Sequence, residues 1–339
     1  MTIRVLVAPD SFKGTMTAVE VTAALGAGVE DAGGVALLSP LADGGEGTLE
    51  ALATVVPGAR RDVRATGPDG RAVTAAYLLS SDGTTAVVET ASASGLHLVD
   101  PDTVDAYAAT SRGTGEVIAA AVASGAQQIL LGVGGSGCSD GGQGALEAIA
   151  EAGGLHDAQV RVLCDVTTPY EQAAAVYGPQ KGADPAMVGR LTARLHDLAA
   201  SYPRDPRGIP FTGAAGGLSG ALWAVHDAEL VSGIETVLAL HAIDEKLEVA
   251  DLVLTGEGRL DEQSAQGKVL DGLTRAARRH GVPVVAVVGR DDSTAETWST
   301  LGLLEVIEAG DPETLRAAAR NTTAAIAATP RTNQEVRTS

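Results

Sequence analysis

The sequence predicts a two-domain α/β protein in which a doubly wound parallel sheet is interrupted by an inserted second α/β domain. The chain has 339 residues, enough for two cores of ordinary size. Short apolar runs alternate with segments of helical periodicity near both ends of the chain, and this alternation of strands and helices is typical of a parallel sheet. Between them lies a stretch with several hairpin turn signals, which is typical of antiparallel strands.

The two ends of the chain supply the doubly wound sheet. "IRVLVAP" is predicted as a strand, residues 17–30 as a helix, "VALLSPL" as a second strand, and another helix is expected from about Gly44. Strands "ADLVLTGEG", "VPVVAVVG" and "LLEVIEA" follow much later, with helices near 267–280 and 312–328. Together they would make five parallel strands. The residues after Pro330 are expected to form a frayed tail.

The middle of the chain is predicted as the inserted domain. From Arg60 onward, Pro-Asp-Gly-Arg and Ser-Asp-Gly-Thr turns separate β-rich runs. Helices are expected at 113–124, 141–152 and 186–200, strands at "QQILLGVGG" and "VRVLCDV", and a glycine-rich loop at "GIPFTGAAGGLSGALWAV". We therefore assign residues 1–60 and 236–339 to one domain and 61–235 to the other. The active site is expected in the cleft between them.

Composition disfavours several classes of partner. The formal net charge is -19 and aromatic residues make up only 3% of the chain, so nucleic acid and anionic membrane are poor matches. No apolar run is long enough to span a bilayer, and the N-terminus does not resemble a signal peptide, so a cytoplasmic protein is expected. Cys138 and Cys164 lack the spacing of a metal site and are interpreted as buried, reduced thiols.

An Asp-Gly-Gly motif occurs twice, in "DGGEGTLEAL" at 43–52 and in "DGGQGALEAI" at 140–149. Each copy combines an Asp with a Glu or Gln three residues later, the spacing of a capping box at a helix start. Capping alone does not require glycine, which costs roughly 0.5–1 kcal/mol in a helical turn. The glycines therefore indicate that bare backbone approaches a ligand, with one copy expected in each domain.

Polar side chains follow the predicted strands, at the edge where doubly wound sheets bind ligands. They are acids, a few cations, and hydroxyl or amide side chains, and glycines recur beside them. The polar residues are Asp10, Ser11, Lys13, Asp43, Glu46, Ser136, Ser139, Asp140, Asp165, Lys181, Glu257, Arg259, Asp261, Gln263, Ser264 and Lys268. This mixture fits phosphoryl transfer from a nucleotide, because backbone amides can hold phosphate, acids can hold Mg²⁺ or accept a proton, and cations neutralise the moving charge.

Other glycine motifs give weaker matches. "GVGGSG", from Gly132 to Gly137, satisfies the dinucleotide fingerprint G-x-G-x-x-G, so a dinucleotide site is a fair rival. Asp140 at the following helix start would repel a pyrophosphate unless a metal intervened. "SAQGKV" is not a phosphate-binding P-loop, and the hydrolase elbow G-x-S-x-G fails because Cys138 takes the place of the last glycine.

Seven blocks in order resemble the bacterial glycerate kinase family: "APDSFKG", "PLADGGEGT", "GVGGSGCSDGG", "CDVTTP", "YGPQKGA", "GAAGGLSG" and "LVLTGEGRLDEQSAQGK". They spread over residues 8 to 268. The resemblance implies phosphorylation of D-glycerate by ATP with Mg²⁺, in this branch usually at O2 to give 2-phosphoglycerate, with 3-phosphoglycerate as the lesser alternative. It also implies a discontinuous Rossmann-like or flavodoxin-like domain with an inserted α/β domain. Cys138, Ser139, Thr167 and Thr168 depart from the family's usual residues.

The resemblance and the residue chemistry together suggest roles. Asp43 is the first choice for the base or metal carboxylate and Asp165 the second. Lys13, Lys181 and Arg259 are expected to share the glycerate carboxylate and the nucleotide phosphates, with Ser11 and Lys268 as further binding residues. Backbone amides of Gly134, Gly135, Ser136, Gly216 and Gly217 are expected to hold phosphate. Glu46, Asp140, Glu257 and Asp261 are weaker candidates for Mg²⁺.

Two functions from other classes stay open at this point. One is an NAD-dependent oxidoreductase that uses the GVGGSG loop, and the other is a non-catalytic sensor of small acids. We expect a small-molecule substrate and no nucleic-acid or membrane partner. A homodimer is compatible with the sequence.

Overall fold

The computed structural model describes residues 2–100, 103, 105–265 and 268–328. The chain divides into two units. The first contains the residues up to 41 and those from 241 onward, and the second contains 42–240. The predicted tail after Pro330 lies outside the described residues. No helix in the described part of the chain is both long enough and apolar enough to cross a membrane.

Strands and helices are numbered in chain order. The strands are β1 (Arg4–Val7), β2 (Val35–Leu38), β3 (Gly58–Thr66), β4 (Ala72–Ser80), β5 (Thr85–Glu89), β6 (Gln128–Gly132), β7 (Gln159–Cys164), β8 (Glu229–Ser232), β9 (Leu252–Thr255), β10 (Val284–Val288) and β11 (Glu305–Glu308). The helices are α1 (Ala18–Asp31), α2 (Thr48–Ala53), α3 (Thr90–Ser94), α4 (Arg112–Ala123), α5 (Gln143–Glu151), α6 (Ala173–Tyr177), α7 (Pro185–Ser201), α8 (Leu218–His226), α9 (Gly233–Leu240), α10 (Ile243–Val249), α11 (Val269–His280), α12 (Ala295–Leu301) and α13 (Pro312–Ala328).

The first unit contains the predicted doubly wound sheet. Its five strands lie in the order β11-β10-β9-β1-β2 and every pairing is parallel. The three middle strands are buried on both faces, which explains why they read as unbroken runs of Val, Leu and Ala. From β1 the chain continues to β2 on one side, and β9, β10 and β11 extend the other side. The change of direction between β1 and β9 is where such sheets bind ligands.

The second unit contains a mixed sheet of six strands in the order β3-β4-β5-β6-β7-β8. Strands β3, β4 and β5 form the predicted antiparallel hairpins, and β5 to β8 run parallel. A core of apolar side chains from this sheet packs against α4, α5 and α8. Strand β8 is only four residues long and partly exposed, and it was not predicted from the sequence.

The domain boundaries differ from the sequence prediction. Residues 42–60 were expected in the first domain, but β3 begins at Gly58 and pairs with β4, and α2 packs against β4 and β5 of the second unit. Helix α9 was likewise expected in the first domain, from residue 236 onward, but it packs against β7 and β8 of the second unit. Both Asp-Gly-Gly motifs therefore lie in the second unit rather than one in each domain.

Candidate functional site

The first Asp-Gly-Gly turn lies on the carboxyl ends of β6 and β7. The Gly134 amide, just beyond β6, donates a hydrogen bond to the Gly44 carbonyl oxygen at 3.3 Å. A Cβ atom on Gly44 would lie 2.5 Å from the Leu163 carbonyl oxygen of β7, and one on Gly134 would lie 2.4 Å from Gly45 Cα. Glycine is thus required for the two loops to touch, and their contact places Asp43 at the edge where parallel strands bind ligands.

Asp43 is nearly buried, with 8% of its surface exposed. Its Oδ1 atom accepts a hydrogen bond from the Gly45 amide at 3.0 Å. Within the described residues, no group donates to Oδ2. One oxygen therefore fixes the orientation of the carboxylate, while the other keeps its lone pairs for a proton or a cation.

The helix after this turn is not capped as the sequence suggested. Helix α2 begins at Thr48, and its N-cap residue is Gly47, whose φ of 93° is left-handed and which has no side chain to cap with. Glu46 is exposed and does not complete a capping box. Instead, Glu89 at the end of β5 accepts a hydrogen bond from the Leu49 amide at 2.7 Å. Burial, partly offset by hydrogen bonds from backbone amides, raises the pKa of Glu89 to about 7.

Asp140, in the second Asp-Gly-Gly motif, uses both of its oxygens inside the protein. Oδ1 accepts the Gly142 amide at 3.1 Å, and Oδ2 accepts the Gly144 amide at 3.1 Å and both the amide and the hydroxyl of Ser111 at 2.8 Å. Thr110 donates a fifth, longer bond of 3.4 Å. This arrangement caps α5 and ties it to the start of α4, so the geometry favours a capping role over the predicted role of Mg²⁺ ligand.

Lys181 is buried and holds the glycine-rich loop after β6. Its ammonium group donates to Ser136 Oγ at 2.8 Å and to the Cys138 carbonyl oxygen at 2.7 Å. Burial lowers the pKa of Lys181. Because its partners belong to the protein, Lys181 positions this loop, and its predicted contact with the substrate or the phosphates stays a prediction.

Side chains that the sequence analysis missed hold the other carbonyl groups of the same loop. Arg194 donates to the Ser139 carbonyl oxygen at 2.6 Å, and Tyr170 and Tyr202 both donate to that of Gly141. In a trans peptide the N–H points away from the preceding C=O. The amides of Ser139 and Asp140 therefore point away from Lys181 and Arg194, and neither donates to another described residue.

The Ser139 side chain adds a second observation at this loop. Ser139 is 1% exposed and its hydroxyl has no hydrogen-bond partner in the described part of the chain. A buried hydroxyl normally has a partner, so this oxygen is suited to a ligand. The loop thus has two amides directed away from the groups that hold it, and a buried hydroxyl without a partner among the described residues.

The two glycines of the second glycine-rich segment are explained by packing. Gly216 and Gly217 both have positive φ, and a Cβ atom on Gly216 would lie 2.3 Å from the Cys138 carbonyl oxygen. The Gly141 amide donates to the Gly216 carbonyl oxygen at 3.0 Å. These contacts bring the segment against the loop after β6, whereas the predicted contact of its amides with phosphate stays a prediction. Gly135, by contrast, is exposed, and its carbonyl oxygen accepts the Leu96 amide at 2.9 Å.

Asp165 follows β7 directly and is half-buried. It lies next to Cys164, whose thiol pKa is raised by burial and by the charge of this carboxylate. Cys138 is also buried and has a raised pKa. Both cysteines are unbridged, which confirms the interpretation of buried thiols.

Another set of predicted residues lies at the point between β1 and β9 in the first unit. Ser11 follows β1, and its amide donates to Asp10 Oδ1 at 2.6 Å. Lys13 is exposed two residues later. A Cβ atom on Gly258, after β9, would lie 3.2 Å from the Lys13 amide nitrogen, so the loops after these neighbouring strands touch.

Glu257 is the most perturbed group of this set. Burial raises its pKa to about 7, while a hydrogen bond to Ser264 and the charges of Lys268 and Lys13 act in the opposite direction. Its Oε1 atom is buried and has no partner among the described residues.

The remaining predicted residues of this set are more exposed. Arg259 is exposed and lies 2.8 Å from Asp292, nearer than the 3.9 Å that separates it from the predicted metal ligand Asp261. Lys268 is half-buried at the start of α11.

The predicted metal ligands do not form a metal cluster on their own. Within the described residues, no group of three or more His, Cys, Asp or Glu side chains is arranged to hold a metal ion. Mg²⁺ in nucleotide enzymes is usually held by one or two carboxylates together with phosphate oxygens and water. A single carboxylate such as Asp43, with one oxygen available, fits that requirement.

Comparisons with known proteins agree with this chemistry. The model of the glycerate kinase family matches residues 5–152 and 150–336. The glycerate 2-kinase of Escherichia coli K12 is 36% identical, with 96% of this chain and 98% of that protein covered. A glycerate kinase of Halalkalibacterium halodurans is 38% identical over 84% of this chain and 85% of its own length.

A solved structure is similar over nearly the whole chain. It is a crystal structure from Salmonella typhimurium LT2 with a provisional assignment as glycerate kinase 2. It has a TM-score of 0.83 and 35% identity, and the alignment covers 96% of this chain and 99% of that one. The chain therefore belongs to the glycerate kinase family and is a phosphotransferase with an alcohol group as acceptor.

Proposed function

We propose that this protein uses ATP and Mg²⁺ to phosphorylate D-glycerate at O2 and releases 2-phosphoglycerate and ADP. The preference for O2 rests on the resemblance and on the name of the Escherichia coli relative, glycerate 2-kinase. Formation of 3-phosphoglycerate is the lesser alternative.

The observation that carries this proposal is the geometry of Asp43. A nearly buried carboxylate, held through one oxygen by the Gly45 amide, lies at the carboxyl ends of parallel strands beside a glycine-rich loop. Phosphoryl transfer needs little covalent help from the protein. It needs a group that takes the proton of the attacking hydroxyl, and amides or cations that hold the phosphates.

In the proposed reaction, the hydroxyl oxygen of glycerate attacks the γ-phosphorus of ATP while the bond from that phosphorus to the β-phosphate oxygen breaks. The hydroxyl proton passes to Asp43 Oδ2, and ADP leaves with the electron pair of the broken bond. Asp165 is the second choice for this role. Lys13, Arg259 and Lys268, with Ser11, are proposed to bind the carboxylate of glycerate or the phosphates.

Mg²⁺ would neutralise charge on the β- and γ-phosphates when it is bound with the nucleotide. Glu46 belongs to the same turn as Asp43 and is the candidate acid to hold it in the second unit, because Asp43 Oδ2 is assigned to the proton. Glu257 and Asp261 are the corresponding candidates in the first unit. The capping bonds of Asp140 make it the weakest candidate.

The loop after β6 is proposed to contact phosphate through the amides of Gly135, Ser136 and Ser139 and through the Ser139 hydroxyl. Lys181 and Arg194 support this by holding its carbonyl groups on the other side. The Gly134 amide, by contrast, already donates to the Gly44 carbonyl oxygen. An oxidoreductase that binds a dinucleotide at the same loop is disfavoured. Asp140 already accepts the amides at the start of α5, where the pyrophosphate would have to bind.

The proposal is tested by measuring ADP release with ATP, Mg²⁺ and a panel of hydroxy acids. D-glycerate is expected to give the highest kcat/KM, with the product identified as 2-phosphoglycerate by phosphorus NMR. Release of ADP without any phosphorylated acid, or activity only with an acceptor other than glycerate, would contradict it. Titration of NADH fluorescence distinguishes the oxidoreductase, and ligand binding without ATP consumption distinguishes the sensor.

Two further points are proposed from the sequence. One is a cytoplasmic location, as expected for an enzyme that uses ATP and a small organic acid. The other is a homodimer, which sedimentation analysis at several protein concentrations would test.

A further inference from the structure

The start of α2 depends on a carboxylate from another strand. Its N-cap residue, Gly47, has no side chain, so the amides of the first turn lack a local side-chain acceptor. Glu89 supplies one from the end of β5. Its Oε1 atom accepts the Leu49 amide at 2.7 Å. The Gly47 amide also favours the ionised form of this carboxylate, because it lowers the pKa of Glu89.

In the second Asp-Gly-Gly motif, the Asp side chain itself accepts amides at the start of the following helix. Gly144, four residues after Asp140, donates its amide to Asp140 itself. Gly47 is the corresponding residue of the first motif, four residues after Asp43. Within the described residues its amide does not donate to Asp43, and it lowers the pKa of Glu89 instead. Asp43 consequently accepts only the Gly45 amide within the described residues, whereas Asp140 is fully engaged.

We infer that Glu89 is a positioning residue for the phosphoryl transfer proposed above: by capping α2, it fixes the turn that contains Asp43 and leaves Asp43 Oδ2 available for reaction. The inference rests on the proposed function of Asp43. Glu89 itself acts through hydrogen bonds to backbone amides and takes no part in moving the proton.

The location of Glu89 supports this role. In the sheet it is paired with Gly132, the last residue of β6, so it lies at the same carboxyl edge as the glycine-rich loop. The nearby carboxylates of Glu46 and Glu50 oppose its ionisation. A buried acid in such surroundings is costly unless the amides of α2 offset that cost, so the bonds to α2 are a specific feature of this site.

The test compares two substitutions of Glu89 by steady-state kinetics with ATP and glycerate. Glu89→Ala removes the acceptor and is expected to lower kcat by about tenfold or more with little change in KM. Glu89→Gln keeps an oxygen that can accept the Leu49 amide, so it is expected to retain kcat within about threefold. An inactive but folded Glu89→Gln variant would overturn the inference, because it would assign proton transfer to Glu89 itself.

Two further comparisons separate positioning from a general loss of stability. Glu116→Ala is the matched control, because Glu116 in α4 accepts the Thr66 amide of β3 at 2.7 Å in the same unit. It is expected to keep the wild-type kcat. In an Asp43→Asn background, Glu89→Ala should cause no further loss, since the group it positions is already absent. Equal, independent losses in both backgrounds would contradict the inference.

Failure of the proposed function gives a different result. If the wild-type protein does not phosphorylate glycerate, the reaction itself is wrongly assigned. If the wild type is active and Glu89→Ala is equally active, only the role of Glu89 is refuted.

Discussion

The two Asp-Gly-Gly turns of the second unit have nearly the same sequence but different structures. In the first, Asp43 makes one hydrogen bond and Gly44 has a positive φ, while Gly45 does not. In the second, Gly141 and Gly142 both have positive φ. There α5 begins directly after Gly142, whereas α2 begins only at Thr48.

The difference shows how a fold separates a structural carboxylate from a reactive one. Asp140 is surrounded by donors from its own turn and from the start of α4, so its lone pairs stabilise the fold. Asp43 sits over the ends of β6 and β7, and a carboxylate from another strand caps its helix. Four predictions test this contrast, ordered from the largest expected effect to the smallest.

Asp43→Asn is expected to lower kcat by about two orders of magnitude or more, because the amide cannot accept a proton or bind Mg²⁺ as a carboxylate does. Its oxygen can still accept the Gly45 amide, so the thermal unfolding midpoint should barely change. Steady-state kinetics and calorimetry on the same preparation check both points. Near-normal turnover in the folded variant would move the reactive role elsewhere.

Asp140→Asn is expected to act mainly on stability. The amide oxygen replaces only one of the two carboxylate oxygens. If it keeps the bonds to Oδ2, the NH₂ group faces the Gly142 amide that now donates to Oδ1, and an unpaired buried donor costs about 1–3 kcal/mol. Denaturant unfolding should show a loss of about that size, with kcat reduced less than in Asp43→Asn. If Asp140→Asn abolished turnover without changing the unfolding free energy, the contrast between the two turns would be wrong.

The second glycines of the two motifs form a matched pair. An alanine at Gly142 would have a strained φ of 80° and a Cβ atom 2.6 Å from that of Ala221, so we expect a loss of about 1–2 kcal/mol. Gly45→Ala has no such strain, but its Cβ would lie 2.9 Å from Asp43 Oδ1. Unfolding curves should distinguish Gly142→Ala from the wild type, whereas steady-state kinetics should distinguish Gly45→Ala from it. If Gly142→Ala and Gly45→Ala changed the unfolding free energy equally and also changed kcat equally, the two glycines would not have distinct roles.

The smallest expected effect concerns the pH dependence of stability. Burial raises the pKa of Glu89 from 4.5 to about 7, so the native state retains a proton that the unfolded chain loses. The contribution of Glu89 to the unfolding free energy therefore falls as pH rises between these values and levels off above about 7. Glu89→Gln should remove this slope, which denaturant unfolding at pH 5 and pH 8 measures. An unchanged slope would place the titrating group elsewhere.

Much of the fold could be predicted from local patterns. The five strands of the first unit follow directly from buried apolar runs between helical segments, and the hairpins of the second unit follow from turn residues. The short strand β8 and the boundary near residue 41 could not, because they depend on pairing with residues far along the chain. Glu89 was missed, although it ends a buried strand. Asp165 was predicted as a site residue because it follows a buried strand, and the same criterion could have identified Glu89.

By itself, the sequence determined the fold class, the family and the set of polar residues that end the strands, because periodicity and motif spacing are local properties of the chain. Tertiary structure alone decided which of two identical Asp-Gly-Gly motifs keeps a carboxylate oxygen available. That choice depends on donors from the start of α4 and from the loop after β6, and on an acceptor from β5. Hydrogen-bond partners so distant in sequence leave no local pattern to read.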